Sequence, residues 1–379
     1  MRIAVNTRLL LVGKMDGIGW FTAETLQRIV RTHPEHDFFF FFDRKPDPRF
    51  LYGPNVTPVV LCPQARHPVL WYMFFEWSVK HALKRYKIDL FLSPDGYMSL
   101  GTKVPTLTVI HDINFEHSKD NLKPSHQKYM TYFSPQFARY STRIATVSEF
   151  SKRDIVATYH IDADKVDVVY DGAHTGYRPM SPEEQNATRR QYAQRSPYIV
   201  FISTIIKRKN LATLLKAFDK FKVQDTQNTK LVVVGHRVWW QDELAQAYDA
   251  MRHKEDVVFL GRVEPGELVR LLGSASMLVY PSLFEGFGIP ILEAFHAEVP
   301  VITSNCTSMP EVAGDAALLV DPTDADAMAS AICRVASDDE LHDTLVAKGR
   351  QRRQLFSWDI TAEKLWDSMV KTAEEGAQS

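Results

Sequence analysis

Cysteine is scarce in this chain of 379 residues: Cys62, Cys306 and Cys333 are the whole complement, and no two are close in sequence. That argues against a disulfide framework and a thiolate zinc site, and it fits a reducing compartment. Long apolar runs are missing too. The block Phe38 to Phe42 is only strand-length, far short of the roughly 20 residues a membrane span requires. The apolar start, Met1 to Leu11, lacks a basic leader segment, a long apolar core and a small-residue cleavage site, so it is expected to form a first buried strand. Excess charge of one sign is absent as well. The net charge is −1 and no basic stripe stands out, which leaves nothing to hold nucleic acid. Short-period repeats and low-complexity tracts are also absent.

What is present is a soluble globular composition, with 45% hydrophobic and 24% charged residues. The length exceeds one ordinary core and suits two domains. Residues 1–178 carry a net +5 and the remainder −6. A mildly basic first half is compatible with an anionic ligand or lipid surface, and equally with ordinary surface variation. Short apolar runs alternate with helical periods throughout, the pattern of parallel α/β sheets. Strands are predicted at Arg2–Asn6, Asp37–Phe42, Val56–Leu61, Leu90–Ser93, Thr106–Ile110, Arg143–Thr146 and Val166–Val169. A second series follows at Tyr198–Ser203, Lys230–Val234, Val257–Leu260, Met277–Tyr280, Val301–Thr303 and Ala317–Val320. Helices are predicted at Trp20–Thr32, Leu70–Tyr86, Asp339–Gln354 and Asp359–Glu375, with Glu374 to Ser379 frayed. Gly172, Gly176, Pro179 and Pro182 mark the join. The expected division is a first domain over 1–175, a second over 176–356, and a helix over 357–379 packing back toward the first.

The densest chemistry lies in Pro281-Ser282-Leu283-Phe284-Glu285-Gly286-Phe287-Gly288-Ile289-Pro290-Ile291-Leu292-Glu293. A strand ends, a glycine-bearing loop follows, and a helix starts near Pro290, where a missing N–H costs nothing. Glycines admit a ligand close to the backbone, and N–H groups at a helix start suit phosphate oxygens. Two carboxylates beside such a site make electrostatic sense if they bind hydroxyls, as ribose and hexose provide. Glu285 is expected in an accessible loop and Glu293 one turn into the helix. Lys207-Arg208-Lys209-Asn210 follows the first strand of the second series, where a cation can neutralise a leaving diphosphate. A solvated charge run is the plainer alternative. His111-Asp112 follows Thr106–Ile110, at a strand end rather than on a core face. Gly13 to Gly19, with Gly17 and Gly19, opens the first helix but lacks dinucleotide spacing. Asp162-Ala163-Asp164 and Asp324-Ala325-Asp326 have metal-binding spacing, yet both sit where acids begin helices, so no metal site is expected. His67–Lys87 joins Trp71, Tyr72, Phe74, Phe75 and Trp77 to Lys80, Lys84, Arg85 and Lys87. It suits an anionic bilayer; half-buried core packing explains it equally.

The stretch from Pro281 to Val320, including Ser308-Met309-Pro310-Glu311-Val312-Ala313-Gly314-Asp315-Ala316-Ala317, resembles the nucleotide-sugar-binding core of glycosyltransferase family four. Lys207-Arg208-Lys209-Asn210, Leu260-Gly261-Arg262-Val263 and Thr146-Val147-Ser148-Glu149-Phe150-Ser151 extend the likeness. Bacterial mannosyltransferases of surface-polysaccharide assembly are the members it looks most like. The resemblance implies an α/β fold of GT-B architecture, two Rossmann-like domains facing across a cleft. It implies a retaining hexosyltransferase using a nucleotide diphosphate sugar, with GDP-mannose first and UDP-sugars as the alternative donors. A non-catalytic nucleotide-sugar-binding protein is a remoter reading.

By the same resemblance, Lys209 contacts the diphosphate. Ser203 stands where many members place an arginine, which leaves Arg208 to supply that charge. Gly261, Arg262 and Val263 read the base edge through their backbone, without choosing between guanine and uracil. Gly17 and Gly19 approach the diphosphate and acceptor. His111 contacts the transferred sugar, while Asp112 orients the imidazole or faces the acceptor. Glu285, Gly286, Phe287, Gly288, Ile289 and Glu293 surround the donor. No cofactor is implied. The implied acceptor is a glycan or a polyprenyl-linked glycan, and the implied location is the cytoplasm or the inner face of the cell membrane.

Overall fold

The computed structural model describes residues 1–13, 15–118, 123–174, 176–238, 240 and 242–378. The chain divides into two compact units, Met1–Gly172 with Trp358–Ser379, and Ala173–Ser357. The join expected after Thr175 involves a residue outside the described ones.

Unit 1 is built on a seven-stranded sheet: β1 (Arg2–Asn6), β2 (Asp37–Phe42), β3 (Val56–Val60), β4 (Leu90–Ser93), β5 (Thr106–Val109), β6 (Arg143–Thr146) and β7 (Val166–Val168). The order is β3-β2-β1-β4-β5-β6-β7, with every pairing parallel. The phenylalanine run of β2 is buried on both faces, as expected of an inner strand in a parallel sheet flanked by helices. Asp16 begins the helix Gly17–Thr32 by accepting from the Gly19 N–H at 3.0 Å, three residues before the predicted start. The helix expected over Leu70–Tyr86 instead has three parts: α over Pro68–Met73, π over Phe74–Val79 and α over Lys80–Arg85. The final helix, Trp358–Gln378, belongs to unit 1. It stays helical through Glu374, where fraying was expected; Ser379 lies outside the described residues.

Unit 2 holds β8 (Tyr198–Ile202), β9 (Lys230–Val234), β10 (Val257–Gly261), β11 (Met277–Tyr280), β12 (Val301–Ser304) and β13 (Ala317–Val320). The order is β10-β9-β8-β11-β12-β13, again all parallel. Phe201, Leu231, Val233, Val279 and Ile302 from this sheet pack on Leu214, Leu215, Phe218 and Ile332 of the covering helices. In both units the chain winds outward in opposite directions from two adjacent strands, β1 and β4 in the first, β8 and β11 in the second. Ligands in open α/β sheets bind at the carboxyl ends of such a strand pair.

Candidate active site

The turns after β8 and β11 meet at the switch point of unit 2. Lys207–Lys209 forms one 3-10 turn, ended by Asn210 in the left-handed region (φ 60°). The Asn210 amide donates to the carbonyls of Pro281 at 3.0 Å and Pro322 at 2.7 Å, and its oxygen accepts from the Thr213 hydroxyl at 2.7 Å. These bonds fasten the basic turn to the loop after β11. The Leu283 N–H donates to the Arg208 carbonyl at 2.8 Å and draws the two loops together.

Glu285, expected to be accessible, is instead buried, with 7% exposure. The reason is pairing. Its Oε1 accepts from Lys209 Nζ at 2.5 Å and from the Tyr280 hydroxyl at 2.8 Å, and its Oε2 accepts from Arg208 Nη1 at 2.9 Å. Arg208 Nη1 also donates to the Phe284 carbonyl at 2.5 Å, and Lys209 Nζ to the Tyr280 hydroxyl at 2.9 Å. Burial by itself raises the Glu285 carboxyl, but Lys209 and Arg208 outweigh it and hold the pKa at about 2. Burial and Glu285 push the Tyr280 phenol far upward, so it stays a donor. Two cations, Lys209 and Arg208, face this one carboxylate. They lie beside the start of the helix Ile289–Ala297, whose N-terminal N–H groups also favour an anion.

The glycine loop itself is rigid. The Ser308 hydroxyl lies 2.9 Å from the Glu285 carbonyl and 2.8 Å from that of Phe287. Gly288 takes φ +111°, a conformation L side chains rarely adopt, and caps the helix. The Phe287 side chain, placed among the donor contacts by the sequence, packs inward and edge-on to Phe356, ring centroids 5.6 Å apart. Its part is to anchor the loop. Gly286 is buried and Ile289 is half-buried.

Glu293 lies one turn inside the helix, half-buried, and faces Tyr177. Burial raises its pKa to about 7, against the opposing hydrogen bond from the Tyr177 hydroxyl. Gly261 ends β10 at a register shift with φ +69°, and its carbonyl accepts from the Gly235 N–H at 2.8 Å. Arg262 is exposed and Val263 half-buried.

In unit 1, His111 follows β5. Its Nε2 donates to the Pro94 carbonyl at 2.9 Å, and its ring stands edge-on to Phe21 at 4.9 Å. The expectation that Asp112 orients this imidazole is corrected: Asp112 Oδ1 accepts from the Asn114 N–H at 3.0 Å and from the Asn114 amide, so it shapes the next short helix. Burial lowers the His111 pKa and keeps the ring neutral. Gly17 is exposed, whereas Gly19 is buried against the Leu9 carbonyl. Lys14, in the same loop, lies outside the described residues. The Asp162 and Asp324 carboxylates cap helix starts: Asp162 accepts from Asp164 N, and Asp324 from Asp326 N and Ala327 N. Tyr280, Asn210, Ser308 and Tyr177 were not singled out from sequence. An asparagine closing a basic turn was the one readable signal, since it tolerates the left-handed region.

Two open parallel sheets, with a cation–carboxylate cluster at the switch point of the second, are the frame of a GT-B glycosyltransferase acting on a nucleotide sugar. The chain belongs to glycosyltransferase family four: the model "Glycosyltransferase Family 4" matches residues 15–177 and "Glycosyl transferases group 1" matches residues 183–352. O-antigen chain mannosyltransferase B of Escherichia coli is 32% identical over 284 residues, 73% of each chain. O-antigen chain mannosyltransferase RfbU of Salmonella typhimurium is 27% identical over 279 residues, 74% of each chain. Among solved structures, sucrose-phosphate synthase of Thermosynechococcus elongatus superposes with a TM-score of 0.75 at 18% identity, covering 97% of each chain. Anabaena HepE in complex with UDP and glucose superposes with a TM-score of 0.73 at 16% identity, covering 98% of this chain and 100% of its own.

Proposed function

We propose that this glycosyltransferase moves mannose from GDP-mannose, with retention of configuration, to a glycan or polyprenyl-linked acceptor in cell-surface polysaccharide synthesis. The observation that carries the reading is the buried cluster of Lys209, Arg208, Tyr280 and Glu285 beside the Gly288 helix start. The ammonium and guanidinium fixed there meet the negative charge that grows on the β-phosphate as the sugar–phosphate bond breaks. The cluster is preorganised because Glu285 already holds both cations in place. Glu293 then takes the ribose hydroxyls, and Gly261, Arg262 and Val263 line the base through their backbone. His111, kept neutral, faces the transferred sugar without adding charge to an oxocarbenium-like centre, and Asp112 faces the acceptor. The acceptor hydroxyl attacks from the side the diphosphate leaves. Neither Glu285 nor Glu293 serves as a covalent nucleophile, and no cofactor enters the reaction. Mannose is favoured by the names of the two O-antigen relatives.

Contact with the inner face of the membrane is part of the same reading. No helix among the described residues is long and apolar enough to cross a membrane. In the segment His67–Lys87, Trp71, Phe74 and Phe75 are buried, while Tyr72 and Trp77 stay exposed beside exposed Lys80, Lys84 and Arg85. That exposed set suits an anionic surface.

The test is a panel of GDP-, UDP- and ADP-sugars followed by thermal shift and then by hydrolysis, with the anomeric configuration of the product read by proton NMR. Selective stabilisation and turnover with GDP-mannose, giving the α product from the α donor, is expected. Preference for a UDP-sugar would replace the donor, and an inverted product would overturn retention.

A further inference from the structure

The turn His33-Pro34-Glu35-His36 links the helix Gly17–Thr32 to β2 in unit 1, and nothing in the proposed reaction uses it. Its three polar side chains converge. His33 Nδ1 lies 3.4 Å from Glu35 Oε1, and His36 Nε2 lies 3.3 Å from the same oxygen. All three donor atoms fall within 4.8 Å of one another. The indole of Trp366, on the helix Trp358–Gln378, stacks on His33 at 3.7 Å with planes 16° apart, and flanks His36 at 5.2 Å and 25°. The two imidazoles are themselves only 20° from parallel. An imidazole nitrogen offers its lone pair in the ring plane. The two imidazole centroids lie 6.2 Å apart, and Glu35 Oε1 stands between Nδ1 of His33 and Nε2 of His36.

The backbone holds the turn in this shape. The His33 N–H donates to the Ile29 carbonyl at 3.0 Å, and the Asn55 amide reaches the His36 carbonyl at 3.1 Å and that of His33 at 3.4 Å. The Met1 ammonium donates to His36 Nδ1 at 2.9 Å, which leaves the Nε2 edge toward Glu35; an ion taken at Nε2 shifts the ring proton to Nδ1 and releases one proton from the Met1 ammonium. With metal–ligand bonds of about 2.0–2.1 Å, a tetrahedral site has donor–donor edges of about 3.4 Å. Two of the three edges already have that length. Glu35 is exposed to solvent.

We propose that His33 Nδ1, Glu35 and His36 Nε2 bind one divalent ion of the zinc, copper or nickel class. Two imidazoles and one carboxylate favour that class over magnesium or calcium, which take oxygen sets. The bound ion fastens the α–β turn against which Trp366 stacks, and so ties the final helix to the start of β2. It is a structural site, and the transfer reaction does not pass through it.

The experiment uses the full chain, stripped with EDTA, dialysed and titrated with Cu²⁺ and with Zn²⁺. One equivalent should bind, and Cu²⁺ should quench part of the emission of the seven tryptophans. Trp366→Phe should remove that quenched part while one equivalent still binds. His36→Gln and Glu35→Gln should each weaken binding at least about tenfold. Zn²⁺ at a hundredfold excess over its dissociation constant should raise the melting temperature by on the order of 5 °C in the unsubstituted chain and not in His36→Gln. Glu35→Gln carries the test should His36→Gln fold poorly, because Glu35 is exposed and the change is isosteric. Wild-type affinity in Glu35→Gln, quenching that survives Trp366→Phe, or no ion bound would each overturn the site. None of these readouts involves sugar transfer, so their failure is separate from failure of the donor assignment.

Discussion

Glu285 keeps its charge in a buried place because Lys209 and Arg208 face it, and that dependence runs both ways. Glu285→Gln should stop transfer and also cost roughly 3 kcal/mol of stability, since two half-buried cations lose their counter-charge. A nucleoside diphosphate brings a replacement anion, so it should raise the melting temperature of the variant more than that of the parent. An equal shift in a thermal melt would mean that the diphosphate binds elsewhere. Lys209→Ala should lower kcat by about 10²–10³-fold, the cost of one electrostatic contact to developing charge. Arg208→Ala should approach the same loss, because it shares the Glu285 carboxylate; a kcat within a few-fold of the parent would restrict the leaving-group role to Lys209. Glu293 gives a pH signature. Its pKa is raised to about 7 in the folded chain, against roughly 4.3 unfolded. The folded state then holds the extra proton, so this group takes stability away as pH rises from about 4.5 to 7. Glu293→Gln should therefore melt higher than the parent at pH 8 and equally at pH 4. Nucleotide affinity in the parent should rise through pH 7 and stay flat in the variant, as calorimetry would show. The residue types at 209, 285 and 293 mark the candidate site in the sequence. Their pairing is not readable there, because Lys209 and Glu285 lie 76 positions apart and meet only once β8 and β11 are neighbours.

Strands were the most legible elements. Each predicted strand lies within a residue or so of its place, because apolar runs four to six residues long, set between helices, have few other folds open to them. Sheet order was not readable from those runs, and the switch points follow from order alone. The Pro68–Arg85 segment shows a different gap. The aromatic-rich segment reads as one helix, yet the six-residue π turn Phe74–Val79 shifts the angular phase midway. That shift sends Phe74 and Phe75 inward with Trp71 and leaves Trp77 exposed. If Tyr72 and Trp77 meet a bilayer, replacing both with serine should abolish sedimentation with anionic vesicles and leave transfer to a soluble acceptor intact. Unchanged sedimentation would remove the membrane contact from the proposal. The loop before Ile289–Ala297 depends on a backbone conformation that glycine supplies. Gly288→Ala must hold φ +111° with a Cβ 3.2 Å from Ile291 Cδ1. A loss of about 1–2 kcal/mol and a raised KM for the donor are expected from the shifted helix start.

The chain as a whole divides into two compact units, and calorimetry should resolve two transitions. A nucleoside diphosphate should move only the transition of Ala173–Ser357, which holds Lys209, Glu285 and Glu293. Transfer should survive chelation in full, since the proposed chemistry meets the leaving diphosphate with the Lys209 ammonium and the Arg208 guanidinium. Metal-rescuable loss of activity would place a cation on the diphosphate. The division into units also sets a schedule for synthesis. Unit 1 is interrupted by the whole of unit 2, and its last helix, Trp358–Gln378, packs on the helix Gly17–Thr32 and on β4, β5 and β6. On a ribosome adding roughly 5–20 residues per second, unit 2 is complete while unit 1 still lacks its closing helix. The apolar face of Gly17–Thr32 awaiting that helix is therefore open during the later part of translation. The nascent N-terminal half is the stretch most in need of a chaperone, and the later-made unit is the first able to finish folding.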